Sequence, residues 1–248
     1  MCSLLRGFYS LVYPRVCRLC DGVRVQAPSW WCESCLEELW QTQPVSETAP
    51  VCPDVSLNAG QPLGGNLLLM AIGPYEGRWR QEIRQFKFHG DIELGRAMGH
   101  VLWSRIVRRF TAEQRTVPKA SDWVIIGAPS SPSRNAGRGF EPGEILAQGL
   151  SLASGISVQS GFLRRLEGLA QRDAPARNRV ENAQLIQPAC DQWTHWPDWA
   201  KCVILVDDVA TTMASMHRMA DILYASGIET VVGAVAGRTP LTLVDPPA

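Results

Sequence analysis

The chain has 248 residues, 46% of them hydrophobic and 19% charged, and its 24 basic and 24 acidic side chains cancel to a formal net charge of zero. That length accommodates one full domain and a small accessory module. The balanced charge excludes nucleic-acid binding as a property of the whole surface, and no apolar run approaches the roughly 18 residues of a membrane span.

The N-terminus carries Arg6 and an apolar stretch from Phe8 to Val12, interrupted by Ser10 and followed by Pro14 and Arg15. It reads as a short amphipathic helix without an export cleavage site, which predicts a cytoplasmic protein. Two C-x-x-C pairs follow, Cys17 with Cys20 and Cys32 with Cys35, eleven residues apart. In a cytosolic chain such pairs read as metal ligands before disulfides. Each pair can wrap one ion with two thiolates, and two pairs complete the tetrahedron of structural zinc. With no open ligand position, such a site folds its segment and performs no chemistry. Cys52 looks like half of a third pair without a partner. Cys2, Cys52, Cys190 and Cys202 read as ordinary thiols, Cys202 as a small apolar residue opening a strand. This first stretch is rich in cysteine and tryptophan and poor in long periodic segments. Prolines and glycines between residues 41 and 65 then mark a linker, dividing the chain into a zinc-binding module over 1–60 and a larger domain over 61–248.

From Leu67 the pattern becomes alternating. Short apolar runs predict strands over 67–72, 123–126, 202–206 and 229–236. Helical spacing predicts helices over 78–88, 92–110, 143–153 and 214–225, the last stopped by Gly227. Strands alternating with helices imply an α/β fold with a mostly parallel sheet flanked by helices.

The most informative stretch runs from Val203 through Asp207, Asp208, Thr211, Thr212, Met213 and Ser215. An apolar strand delivers two carboxylates at its C-terminal end, where open α/β sheets bind ligands. A hydroxyl-bearing loop then opens a helix whose first amides suit a phosphate. These residues resemble the phosphoribosyl diphosphate (PRPP) loop of type I phosphoribosyltransferases. Further stretches narrow the resemblance to the ComF family. They are Tyr75-Glu76-Gly77, the segment from Ile83 through Lys87 to Gly90, Arg138-Gly139-Phe140, and Arg164-Arg165-Leu166 followed by Gln171, Arg179 and Asn182. With the cysteine pairs, the resemblance covers essentially the whole chain.

That resemblance implies a type I transferase fold with a zinc-binding N-terminus and, in some bacteria, a role in taking up single-stranded DNA. It also implies ligand-binding roles for Asp207, Asp208, Thr211, Thr212, Ser215, Lys87 and Arg138, with magnesium accompanying PRPP. The chain departs from the family where Met213 replaces a glycine, where Ile126-Gly127-Ala128-Pro129 replaces a Val-Pro-Val-Pro-like segment, and where Glu141-Pro142 follows Arg138-Gly139-Phe140 in place of Asn-Gln. Glycine permits positive φ and close backbone approach to a phosphate. Methionine in its place predicts a bulky side chain near the pocket mouth, weak PRPP binding, and tighter binding in a glycine variant. Three readings stay open: a phosphate-ligand binding protein with or without transferase activity; a non-enzymatic DNA-uptake factor binding single strands and a helicase-like motor protein; and an interaction scaffold with a vestigial site. The arginines between Arg84 and Arg179 read as solvated faces balanced by acids, apart from Arg138. His217 reads as a solvent-facing residue of the first helical turn after the loop.

Overall fold

A computed structural model describes residues 15–22, 24–26, 29–42, 67–167, 183–189, 199–211 and 213–240. The N-terminal stretch, the linker and module boundary, Cys2, Cys52, Cys190, Gln171, Arg179, Asn182 and Thr212 lie outside the described residues.

The elements run in the order α1 (Glu33–Thr42), β1 (Leu68–Pro74), α2 (Gly77–His89), α3 (Ile92–Ala112), β2 (Trp123–Gly127), α4 (Pro132–Arg138), α5 (Pro142–Ser154), β3 (Leu163–Arg165), β4 (Ile186–Pro188), β5 (Cys202–Ala210), α6 (Ala214–Ala225) and β6 (Thr230–Arg238). Four strands form a parallel sheet in the order β1-β6-β5-β2, and β3 pairs with β4 in a separate antiparallel ribbon. The α/β class and the flanked parallel sheet are those the alternating pattern predicts.

Helices cover both faces of this sheet, so its strands read as unbroken apolar runs without in-out alternation. Ile204 and Val206 join Met70, Ile72, Ile83, Met98 and Leu146 in one apolar layer. Val203 and Leu205 join Met216, Met219, Leu223 and Phe162 in the other. Helix α3 starts where the Asp91 side chain accepts a hydrogen bond from the Leu94 amide at 3.1 Å, as an N-cap should. It packs closely on α5 through a glycine seam. A methyl group on Gly149 would stand 2.1 Å from the Arg96 carbonyl, and one on Gly99 2.3 Å from that of Leu146.

Several elements depart from the sequence reading. Helix α1 occupies part of the stretch expected to be poor in periodic structure; it starts directly after Cys32, and its partly buried Leu36, Leu39 and Trp40 pack on the first apolar layer. Helix α4 and the β3–β4 ribbon are too short to show a period. Strand β5 does not stop at Val206. Its pairing with β6 continues through Asp207 opposite Val235, Val209 opposite Gly237 and Ala210 opposite Arg238. Both carboxylates therefore belong to the strand itself, near its C-terminal end.

Candidate functional site

The cysteine cluster is built first from local backbone turns. The Asp21 amide closes on the Cys17 carbonyl at 2.8 Å, with Asp21 at a φ of 57°, and Val16 bridges Arg24 antiparallel. The amides of Leu19 and Cys32 point at the Cys17 sulfur, at 3.4 and 3.3 Å. The sulfurs of Cys17, Cys20, Cys32 and Cys35 all lie within 4.8 Å of one another, and Cys20 and Cys32 are 3.9 Å apart. A tetrahedral ion bound at about 2.3 Å to each sulfur holds those sulfurs roughly 3.8 Å apart. The four cysteines are thus positioned to bind a metal ion, and an all-sulfur donor set suits zinc. Burial, and then hydrogen bonds with the other three cysteines, push the Cys35 thiol far above its ordinary value. Packed thiols resist ionisation until a cation shares the space, and a cation reverses that balance.

The second site lies at the C-terminal end of β5. Asp208 is buried, and its Oδ2 meets the Lys87 Nζ at 2.6 Å. Lys87 comes from the last turn of α2, so the sheet and a helix of the first apolar layer meet across this ion pair. Asp207 turns its Oδ1 back to accept from the Asp208 amide at 2.8 Å. Burial and then the neighbouring Asp208 carboxylate raise the Asp207 carboxyl to about 7, against the opposing pull of Lys87 and Arg165. A carboxyl poised there carries a proton part of the time at neutral pH, and so both donates and accepts hydrogen bonds.

Ser215 lies in the first turn of α6, and its hydroxyl accepts from the Arg165 Nη2 at 3.1 Å. Arg165 is a residue whose role the sequence reading did not single out. It stands on a three-residue strand, too short to reveal a period, and the ribbon brings it to the loop. Burial draws its guanidinium below the ordinary value, and Asp207 opposes that shift. The structure thus gathers Lys87, Asp207, Asp208 and Ser215 into one region and adds Arg165.

Arg138 is placed differently. Its guanidinium lies over the exposed Phe88 ring, 5.4 Å from the centroid, while Phe140 packs against Phe86. Thr211 is partly exposed in the loop. Met213 does occupy a glycine-like backbone position, at φ 64° and ψ −8°. Its side chain, however, is buried in the second apolar layer and does not stand at the pocket mouth, because the left-handed turn directs it inward with Met216 and Met219. His217 does not face solvent either: its Nε2 is enclosed without a partner among the described residues, and burial lowers its pKa. Three arginines of α3 serve packing. Arg108 grips Glu37 at 2.5 and 2.6 Å, Arg105 donates to the Trp40 carbonyl at 3.1 Å, and Arg109 pairs with Glu113.

An α/β sheet with paired carboxylates near its C-terminal edge, together with a four-cysteine cluster positioned to bind a metal, defines the class of this protein. No family model matches the chain. It is 26% identical over 216 residues to the competence protein ComFC of Streptococcus pneumoniae, covering 87% of this chain and 84% of the relative. It is 25% identical over 164 residues to competence protein F of Haemophilus influenzae, covering 66% and 69%. The DNA utilization protein YhgH of Salmonella typhi matches at 26% over 238 residues, covering 89% and 96%. With the ordered motifs, these relatives support the likeness to the ComF family. No helix among the described residues is long and apolar enough to cross a membrane.

Proposed function

We propose that this chain binds a phosphoribosyl or phosphate-bearing ligand at the β5 edge, and that it does so in the handling of incoming DNA. The observation that carries the ligand reading is the Lys87–Asp208 ion pair beside Asp207, whose carboxyl burial and Asp208 push upward. Two bare carboxylates would repel a phosphate. Lys87 and Arg165 offset them, which supports approach of an anion. Asp207 and Asp208 would then hold the ribose hydroxyls, while the free amides of the first turn of α6, with Thr211, Thr212 and Ser215, hold the 5′-phosphate. Magnesium, if carried in with a diphosphate, supplies charge neutralisation. Any transfer chemistry at the site rests on positioning and on stabilising the leaving diphosphate. Zinc is the metal we assign to Cys17, Cys20, Cys32 and Cys35, where it would close residues 17–35 into the knuckle.

The names of the three relatives support a competence and DNA-utilisation setting. A second reading within that setting is that the same chain binds single strands and a motor protein. Calorimetric titration with PRPP and magnesium separates the two. Saturable binding by the zinc-loaded protein, lost in a folded Asp207→Asn, Asp208→Asn double variant, is the expected result. No binding of PRPP or ribose 5-phosphate, together with salt-dependent binding of single-stranded DNA that survives the double variant, would replace the first reading with the second.

A further inference from the structure

The metal knuckle does not stand apart from the carboxylate site, because both seize the same helix. Residues 17–21 form the loop between the first two cysteines and the turn just after them, and this loop grips the N-terminal half of α2. Arg18, between two cysteines, meets Glu82 at 2.6 Å, with the Glu82 side chain only 10% exposed. Arg78 donates to the Leu19 carbonyl and meets Asp21 at 2.7 Å. Trp31, next to Cys32, packs edge-on against Trp79 with ring centroids 5.1 Å apart. The other end of α2 carries Lys87, whose ammonium meets Asp208. A helix is stiff over this distance: Glu82 and Lys87 are separated by about 7.5 Å of axial rise.

From this juxtaposition we propose that Arg18 and Glu82 are positioning residues for the carboxylate site. The cysteine loop, closed by its metal, seats α2, and the seated helix delivers Lys87 to Asp208. Arg18 is suited to the task because its backbone is fixed by the flanking cysteines, and its guanidinium supplies the counter-charge to a carboxylate that the fold has buried. Removing that counter-charge leaves Glu82 buried and unpaired, and the cheapest relief is for α2 to turn Glu82 toward water. Such a movement carries Lys87 away from Asp208. The corollary is that loss of the metal weakens ligand binding at a site formed by other residues.

The proposal rests on the ligand reading given above, so its test has a readout that needs no ligand. The zinc-loaded full chain is compared with Arg18→Gln, Glu82→Gln and the exchanged pair Arg18→Glu with Glu82→Arg. Zinc content is measured by elemental analysis, affinity for ribose 5-phosphate by calorimetry, and the Asp207 carboxyl titration by carbon NMR. The groups bearing on that titration are Asp208, Lys87 and Arg165. Arg18→Gln should keep its zinc, lose affinity by about tenfold, and shift the Asp207 midpoint upward as Lys87 withdraws. The exchanged pair should recover most of both. If Arg18→Gln loses zinc or fails to fold, Arg78→Ala, which removes exposed contacts to the same loop, takes its place under the same criteria. A zinc-loaded, folded variant with an unshifted Asp207 midpoint overturns the proposal. If the natural protein does not bind ribose 5-phosphate, the ligand reading fails, and the Asp207 midpoint alone still decides whether the knuckle positions Lys87.

Discussion

Asp207 sits in a strand that the sheet pairs on both sides, with one carboxylate beside it and two cations near it. Its raised carboxyl makes a signed prediction. In the unfolded chain the group titrates near the ordinary aspartate value, so between about pH 4 and pH 7 the folded form holds a proton that the unfolded form has lost. Stability contributed by this group therefore falls as pH rises through that window, and the full cost persists above it. Asp207→Asn removes the cost and keeps an oxygen to accept from the Asp208 amide. The variant should gain more thermal stability over the natural protein at pH 8 than at pH 5, and melting curves at the two values check it. Met213 makes the opposite kind of prediction. Glycine would relieve a left-handed backbone worth about 1–2 kcal/mol, yet it would also delete a buried side chain worth about 2–5 kcal/mol when truncated. Met213→Gly should thus lower stability by about 1–3 kcal/mol in urea titrations. The glycine rule located the strained position correctly from sequence. The direction of the side chain was not legible there, because it depends on the packing of α6.

Among the elements, α3 and α5 show how little freedom the supporting layer has. Their backbones touch through Gly99 and Gly149, and any added methyl group meets a carbonyl oxygen of the other helix. Gly149→Ala should separate the helices and destabilise the fold by about 1–3 kcal/mol or more, read as a lowered denaturation midpoint. Most of these elements were legible in the sequence. The predicted helix over 214–225 coincides with α6, and the predicted strand over 123–126 is one residue short of β2. Long apolar periods survive tertiary context because each buries a continuous face. Short pieces do not announce themselves. Helix α4 spans seven residues and β3 three, and their places follow from what they pack on. Arg165 belongs to the Arg164-Arg165-Leu166 segment of the resemblance, but a three-residue strand carries no period to show that it reaches Ser215.

At the scale of the molecule, the knuckle and the sheet share one apolar layer. Cys17, Trp31 and Cys32 are buried in the same cluster as Met70, Trp79 and Phe86. A metal bound there stabilises the whole described fold and not a detachable module. A chelator under reducing conditions should therefore shift one unfolding transition downward, followed together by tryptophan fluorescence and far-ultraviolet dichroism. Two separated transitions would show that the knuckle melts alone. The sequence by itself determined the α/β class, the four-cysteine cluster positioned for a metal and the carboxylate pair, because each is written in local spacing: C-x-x-C, the apolar run, the adjacent aspartates. Only the tertiary structure decided that Lys87 neutralises Asp208, that Arg165 reaches Ser215, that Arg138 stacks on Phe88, and that Arg18 locks onto Glu82. Those pairings join residues far apart in the chain, and their geometry is set by how helices seat on a twisted sheet, which no short-range pattern encodes.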